Sequence, residues 1–105
     1  MKRERVFRRD RYRCVYCGAE GIPAELTLDH VEPQMRGGDQ SEGNLVTCCQ
    51  ACNTLKGNQP AWQYLKRNGA ARTNFLEAAS NYETGHASPV WPRLIRAIEE
   101  AVRRP

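Results

Sequence analysis

Two Cys-x-x-Cys pairs constrain this chain more than any other feature. Cys14-Val15-Tyr16-Cys17 is followed at once by Gly18, and Cys49-Gln50-Ala51-Cys52 forms the second pair. A turn of this spacing points two thiolates and nearby backbone N–H groups at one position, and Gly18 supplies the unusual backbone angle such a turn often needs. One pair alone is compatible with redox chemistry. Two pairs in a 105-residue chain form a four-cysteine set, the closed tetrahedral arrangement of structural zinc. There are five cysteines, and an odd number with no visible export signal argues against a disulfide framework. Cys48 is the surplus thiol. Using it in place of Cys49 would lengthen the second spacing to Cys-x-x-x-Cys, so Cys49 is the expected ligand and Cys48 a small buried side chain.

A metal staple also fits the size of the chain. The length suits a single domain with a small core. With 40% hydrophobic and 8% aromatic residues, apolar burial alone is marginal, and a metal or a partner is the usual supplement. The basic start, Met1-Lys2-Arg3-Glu4-Arg5, is not followed by an apolar stretch, and no run reaches membrane length. No membrane association and a cytoplasmic location are therefore expected. The net charge of +4 is weak evidence by itself, but its distribution is uneven. Residues 2–13 carry seven Lys or Arg against Glu4 and Asp10. A local basic segment is the electrostatic footprint of a nucleic-acid binder, and its duller reading is a solvated terminus.

The spacing of apolar residues predicts a short helix within 2–13, anchored by Val6, Phe7 and Tyr12. Leu26-Thr27-Leu28-Asp29-His30-Val31 reads as a strand ended by Pro33, and Gly37-Gly38-Asp39 as a loop. Leu45-Val46-Thr47 is a second strand, and Gln50 to Lys56 a helix stopped by Gly57. The order is strand, loop, strand, helix. In the tail, Ala61–Asn68 is an expected helix with Trp62 and Leu65 on one face and Gly69 as its stop. Thr73 is an expected cap for a helix carrying Phe75, Leu76, Ala79 and Tyr82. Ser88-Pro89 opens a last helix with Trp91, Leu94, Ile95, Ile98 and Val102 at helical spacing. These stripes read as packing surfaces without chemistry, and His86 as a surface residue.

The stretch from Arg9 to Gly57 resembles the HNH endonuclease family, the zinc-containing branch of the ββα-metal nucleases. The resemblance is carried by Arg9-Asp10-x-Tyr12-x-Cys14, Cys14-x-x-Cys17-Gly18, Asp29-His30-x-x-Pro33, Gly37-Gly38, Asn44-Leu45-Val46 and Cys49-x-x-Cys52-Asn53-x-x-Lys56. It implies an α+β fold: a small ββα-metal core stapled by a zinc on the four cysteines, with flanking N- and C-terminal helices. Residues 1–58 would be the nuclease core with its basic helix. Residues 59–105, which have no counterpart in the motif, would be a helical extension packed on the same domain. The implied activity is metal-dependent hydrolysis of DNA. His30 would be the general base, Asp29 and Asn53 the ligands of one catalytic divalent cation, and Asn44 the residue that pins the loop carrying the base. The third letter of the motif is Asn53 rather than His, an H-N-N version. Asn is a hard, neutral oxygen ligand and favours Mg2+ or Mn2+.

The chemistry is consistent with those roles. An imidazole is a suitable base near neutral pH, and a hard cation stabilises the charge of the phosphate and of the departing oxygen. Adjacent strand residues point to opposite faces, so Asp29 and His30 can serve one cleft only at a strand end or bend. Arg5, Arg8 and Arg9 of the basic arm, Arg36 of the loop and Lys56 are candidate phosphate contacts, with solvated surface as the plain alternative. DNA is the expected partner, together with a partner protein or a second copy of the chain, because so small a core has little surface for reading bases.

Two rivals use the same residues. A zinc-stapled DNA-binding module without catalysis leaves Asp29, His30, Asn44 and Asn53 unexplained. A zinc deaminase would take zinc through His30 with Cys49 and Cys52. It lacks the Pro before Cys49 and leaves the first cysteine pair without purpose. A rubredoxin-like iron site is a remote third.

Overall fold

A computed structural model of the chain describes residues 2–31, 42–80 and 100. Helix α1 spans Lys2–Arg9 and buries Val6 and Phe7. Glu4 lies in its first turn and Arg8 and Arg9 in its last, the charge order that suits the helix dipole. The chain reverses through Arg11 and Tyr12, both at positive φ (59° and 56°). The Tyr12 N–H donates to the Phe7 carbonyl at 2.8 Å. The first cysteine turn follows. It closes with Gly18 N–H on the Cys14 carbonyl at 2.8 Å, and Gly18 takes φ 79°. A side chain there would meet nothing within 4 Å, so the backbone angle is what calls for glycine.

A 3-10 turn, Pro23–Glu25, leads into β1 (Leu26–His30). A second, Glu42–Asn44, leads into β2 (Leu45–Cys49). The strands pair antiparallel, from Leu26 opposite Cys49 to His30 opposite Leu45. Helix α2 (Gln50–Lys56) starts directly from β2, with the Cys49 sulfur accepting the Cys52 N–H at 3.4 Å as its N-cap. Gly57, at φ 57°, closes it by donating to the Asn53 carbonyl. The strand, strand, helix order expected from the sequence is the observed ββα core.

Helices α3 (Ala61–Arg67) and α4 (Gly69–Ser80) complete the described fold. The expected punctuation between them is corrected here. Gly69 does not end a helix but begins one, and Thr73 caps nothing. Asn68 does the capping: its Oδ1 accepts the Ala71 N–H at 3.0 Å and its carbonyl accepts the Arg72 N–H at 2.9 Å. Thr73 lies inside α4, and its hydroxyl bonds one turn back to the Gly69 carbonyl. An Asn followed by a Gly acts here as cap and first residue, where the pattern alone suggests a stop. Pro33, Gly37-Gly38-Asp39, Tyr82, His86 and the helix expected from Ser88 lie outside the described residues.

One buried cluster links the first cysteine turn to β2, α2, α3 and α4. It joins the first cysteine turn (Cys14, Val15, Tyr16), Val31, Val46, Cys48 and Cys52 to Ala61, Tyr64, Leu65, Ala71 and Phe75. The two C-terminal helices therefore share a core with the ββα unit.

Helix α1 is fastened to β2 by charge. Arg9 grips its neighbour Asp10 through two bonds, Nε–Oδ1 at 2.9 Å and Nη2–Oδ2 at 3.0 Å. The same guanidinium donates to the Leu45 carbonyl at 2.7 Å, and Asp10 accepts the Thr47 N–H at 2.9 Å. The Asp10 side chain is fully buried and that of Arg9 is 8% exposed. Removing one partner of such a pair strands a buried charge, which costs about 3–5 kcal/mol. Arg9→Ala is therefore expected to lower the unfolding free energy by about that amount, read as a shift of the urea midpoint. An unshifted midpoint would show that the pair does not fasten α1.

Candidate functional site

The four cysteines singled out by their spacing converge. The sulfurs of Cys14, Cys17, Cys49 and Cys52 all lie within 4.8 Å of one another. The Cys17 and Cys49 sulfurs are 3.7 Å apart. A tetrahedral zinc with Zn–S bonds of about 2.3 Å separates its sulfurs by about 3.8 Å, so the set fits such an ion. Cys14 and Cys52 are buried, Cys49 is half-buried and Cys17 is exposed. The hydrogen bond from Cys48, opposed by burial, brings the Cys14 thiol down to about 4. Burial pushes the Cys17 and Cys52 thiols up.

Cys48 is fully buried; its thiol bonds to Cys14 and donates to the Cys49 carbonyl at 3.2 Å. It is not one of the four converging sulfurs. His30 is not in the cluster either, which removes the deaminase alternative: that reading needs His30 with Cys49 and Cys52 and leaves Cys14 and Cys17 idle.

Asp29 and His30 sit at the end of β1. Strand alternation sends them to opposite sides, and burial follows: Asp29 is 6% exposed and His30 is half-buried. The strand stops at His30 and the chain bends at Val31, which meets the condition set by the sequence for both to serve one site. The Asn44 carbonyl accepts the Val31 N–H at 2.9 Å, so Asn44 ties down the residue that follows His30. Asn44 itself is fully buried.

The Asp29 carboxylate has two donors among the described residues. Tyr16 Oη gives a 2.7 Å hydrogen bond to Oδ2. Lys56 Nζ lies 3.0 Å from Oδ2 and 3.2 Å from Oδ1. The same ammonium donates to the His30 carbonyl at 3.2 Å. Burial, followed by the Asp29 charge, holds the Tyr16 phenol well above its ordinary range, so it remains a donor. With Lys56 as its one donor among the described residues, Oδ1 retains acceptor capacity. Asn53 lies three positions before Lys56 on α2, hence on the same face of that helix. Mg2+ keeps several waters and asks for only one or two protein oxygens, so this donor set suits a hard divalent cation.

Two of the expected phosphate contacts, Lys56 and Arg9, are engaged inside the fold. Lys56 is 1% exposed and is spent on Asp29 and the His30 carbonyl. Arg9 is spent on Asp10 and Leu45. Neither is presented to a ligand at the surface. Arg5 and Arg8 of α1 are exposed, with Arg8 paired to Glu4 at 3.4 Å. Arg36 lies outside the described residues. The residue that sequence reasoning misses is Tyr16. An aromatic with a polar tip inside a metal-binding turn is the available signal.

A ββα unit whose strand–helix junction carries four converging cysteines able to hold a metal defines a small nuclease-type core. Residues 14–59 match the family model described as HNH endonuclease. It is 28% identical over 102 residues to a CRISPR-associated endonuclease Cas9 of Corynebacterium diphtheriae, covering 91% of this chain and 9% of that protein. It is 35% identical over 66 residues to the Cas9 of Actinomyces naeslundii, covering 62% of this chain and 6% of that protein. The crystal structure of the Type II-C Cas9 enzyme from Actinomyces naeslundii superposes with a TM-score of 0.68 at 25% identity. That match covers 98% of this chain and 11% of that one, so the likeness extends through the C-terminal helices beyond the motif. The chain therefore spans only a small part of the length of the relatives it matches. No helix among the described residues is long and apolar enough to cross a membrane.

The sulfur geometry separates ligand from bystander. Cys48→Ala is expected to retain one tightly bound metal ion per chain, while Cys49→Ala loses it. Elemental analysis of the purified variants checks this, and the reverse result would reassign the fourth ligand.

Proposed function

We propose that this chain is a metal-dependent endonuclease that hydrolyses phosphodiester bonds in DNA. His30 acts as general base, and Asp29 and Asn53 hold one divalent cation, Mg2+ or Mn2+. The four-cysteine set holds a structural zinc. The reading rests above all on the end of β1, where His30 adjoins a carboxylate fixed by two donors. One of those donors, Lys56, shares a face of α2 with Asn53. The family match over residues 14–59 supports it.

His30 would accept a proton from the attacking water as its oxygen bonds to phosphorus. The bond from phosphorus to the 3′ oxygen breaks, leaving a 5′-phosphate and, after protonation, a 3′-hydroxyl. When bound, the cation supplies Lewis-acid stabilisation of the phosphate oxygens and of the departing 3′ oxygen. Asn44 acts on His30 from behind, since its carbonyl fixes the next backbone N–H. The structural zinc need not touch substrate; it holds the first cysteine turn against the start of α2 so that Asp29 and Asn53 keep their places. Arg5 and Arg8 on the exposed side of α1, with Arg36 of the loop, would contact backbone phosphates. Such contacts position DNA without reading its sequence, so target choice is assigned to a partner protein or a second copy of the chain.

Cleavage of supercoiled plasmid with Mg2+, Mn2+ or EDTA tests the reading. Wild type is expected to nick or linearise the plasmid with either metal and not with EDTA. His30→Ala is expected to lower the rate roughly 100- to 10,000-fold while the fold is retained. Full activity in that variant would remove His30 as base. DNA affinity tests the basic helix. The Arg5→Ala/Arg8→Ala pair is expected to flatten the slope of log K against log salt by about 2, near 0.9 per phosphate contact. An unchanged slope would take α1 out of the interface.

A further inference from the structure

Tyr16 belongs to the metal-binding turn by sequence and to the Asp29 site by contact. Its hydroxyl donates to Asp29 Oδ2 at 2.7 Å, shorter than either approach of Lys56 to that carboxylate. The side chain is fully buried, so this bond does not compete with water. What fixes the ring comes from outside the ββα unit. Tyr64 of α3 meets it edge-on at 5.5 Å and 83°, and Phe75 of α4 stacks on it at 5.7 Å and 18°. Asn74 of α4 donates its Nδ2 to the Tyr16 carbonyl at 2.9 Å. A phenol gripped in this way has little rotamer freedom left.

We propose that Tyr16 is a positioning residue through which α3 and α4 set the Asp29 carboxylate for the divalent cation. The inference rests on the reading of Asp29 as a cation ligand. Tyr16 occupies Oδ2 and so turns the other oxygen, Oδ1, toward the cation. Lys56 bridges both oxygens and balances the charge, but an ammonium that reaches both oxygens does not distinguish one from the other as the phenol on Oδ2 does. Partners that orient a metal ligand typically contribute roughly 10- to 100-fold in metal affinity or activity. The C-terminal helices would then be part of the catalytic apparatus although they present no group to the substrate.

The test measures Mn2+ binding by calorimetry on the full, zinc-loaded chain, with no DNA present. Tyr16→Phe keeps the ring and both aromatic contacts and removes only the hydroxyl. It is expected to retain its zinc and its melting temperature, and to bind Mn2+ about 10- to 100-fold more weakly. Its lost cleavage is expected to return as Mn2+ is raised, a recovery that a loosened fold would not show. Asn74→Ala is expected to weaken Mn2+ binding in the same direction. The double variant should lose less than the product of the two, since both act through one carboxylate. Wild-type Mn2+ affinity in Tyr16→Phe, with binding abolished in Asp29→Asn, would overturn the positioning role and leave the cation site standing. Undiminished binding in Asp29→Asn would overturn the ligand role of Asp29 and the present inference with it.

Discussion

The convergence of four thiols is the constraint on which the remaining structure depends. Cys14 and Cys17 come from a turn with little regular structure, and Cys49 and Cys52 from the junction of β2 and α2. Two strands of five residues and a seven-residue helix are too short to hold each other by apolar burial alone. A metal bound there would convert their mutual placement into folding free energy, because the unfolded chain offers no such site. The Cys49 sulfur has a second duty as the cap of α2. The metal centre and the start of the helix that carries Asn53 and Lys56 are therefore one structural event.

A second layer is made of long cations turned inward. Arg9 ties α1 to β2, and Lys56 ties α2 to the end of β1. Each satisfies a carboxylate and a strand carbonyl at the same time. The basic character of the chain is thus divided. Part of it holds the ββα unit together, and part of it lies exposed on α1.

Local chemistry explains what is legible in the sequence. Cys-x-x-Cys, Gly18 and Gly57 carry their geometry within a few residues, so the turn and the helix stop can be read directly. The strands and α2 follow from alternation and from that stop. The Asn68 cap escapes such a reading because Asn before Gly signals a stop or a start with equal ease. What decides is whether the next turn finds a buried face, here Ala71 and Phe75. The inward cations and Tyr16 are illegible for a different reason. Apart from Asp10 beside Arg9, their hydrogen-bond partners lie 13 to 36 positions away, and nothing local distinguishes an arginine bound for phosphate from one bound for a strand carbonyl. Among the candidate site residues, the sequence names Asp29 and His30 but not the phenol that orients the first of them.

The pairing register carries a consequence for self-association. Thr47 sends its N–H to Asp10 and receives Val15 on its carbonyl, both away from β1. Thr47 and Leu28 therefore form a non-hydrogen-bonded pair, and residues 45, 47 and 26, 28, 30 face their backbones outward. Those outward positions are largely capped: Leu45 by Arg9, Thr47 on both groups, Leu26 by Arg3 and His30 by Lys56. A two-stranded sheet would ordinarily present two open edges as templates for another chain. Here guanidinium and ammonium groups, with a carboxylate and a knuckle amide, occupy much of both edges. A strand adding at the described edge of β2 would have to displace Arg9 from Leu45 and both partners of Thr47.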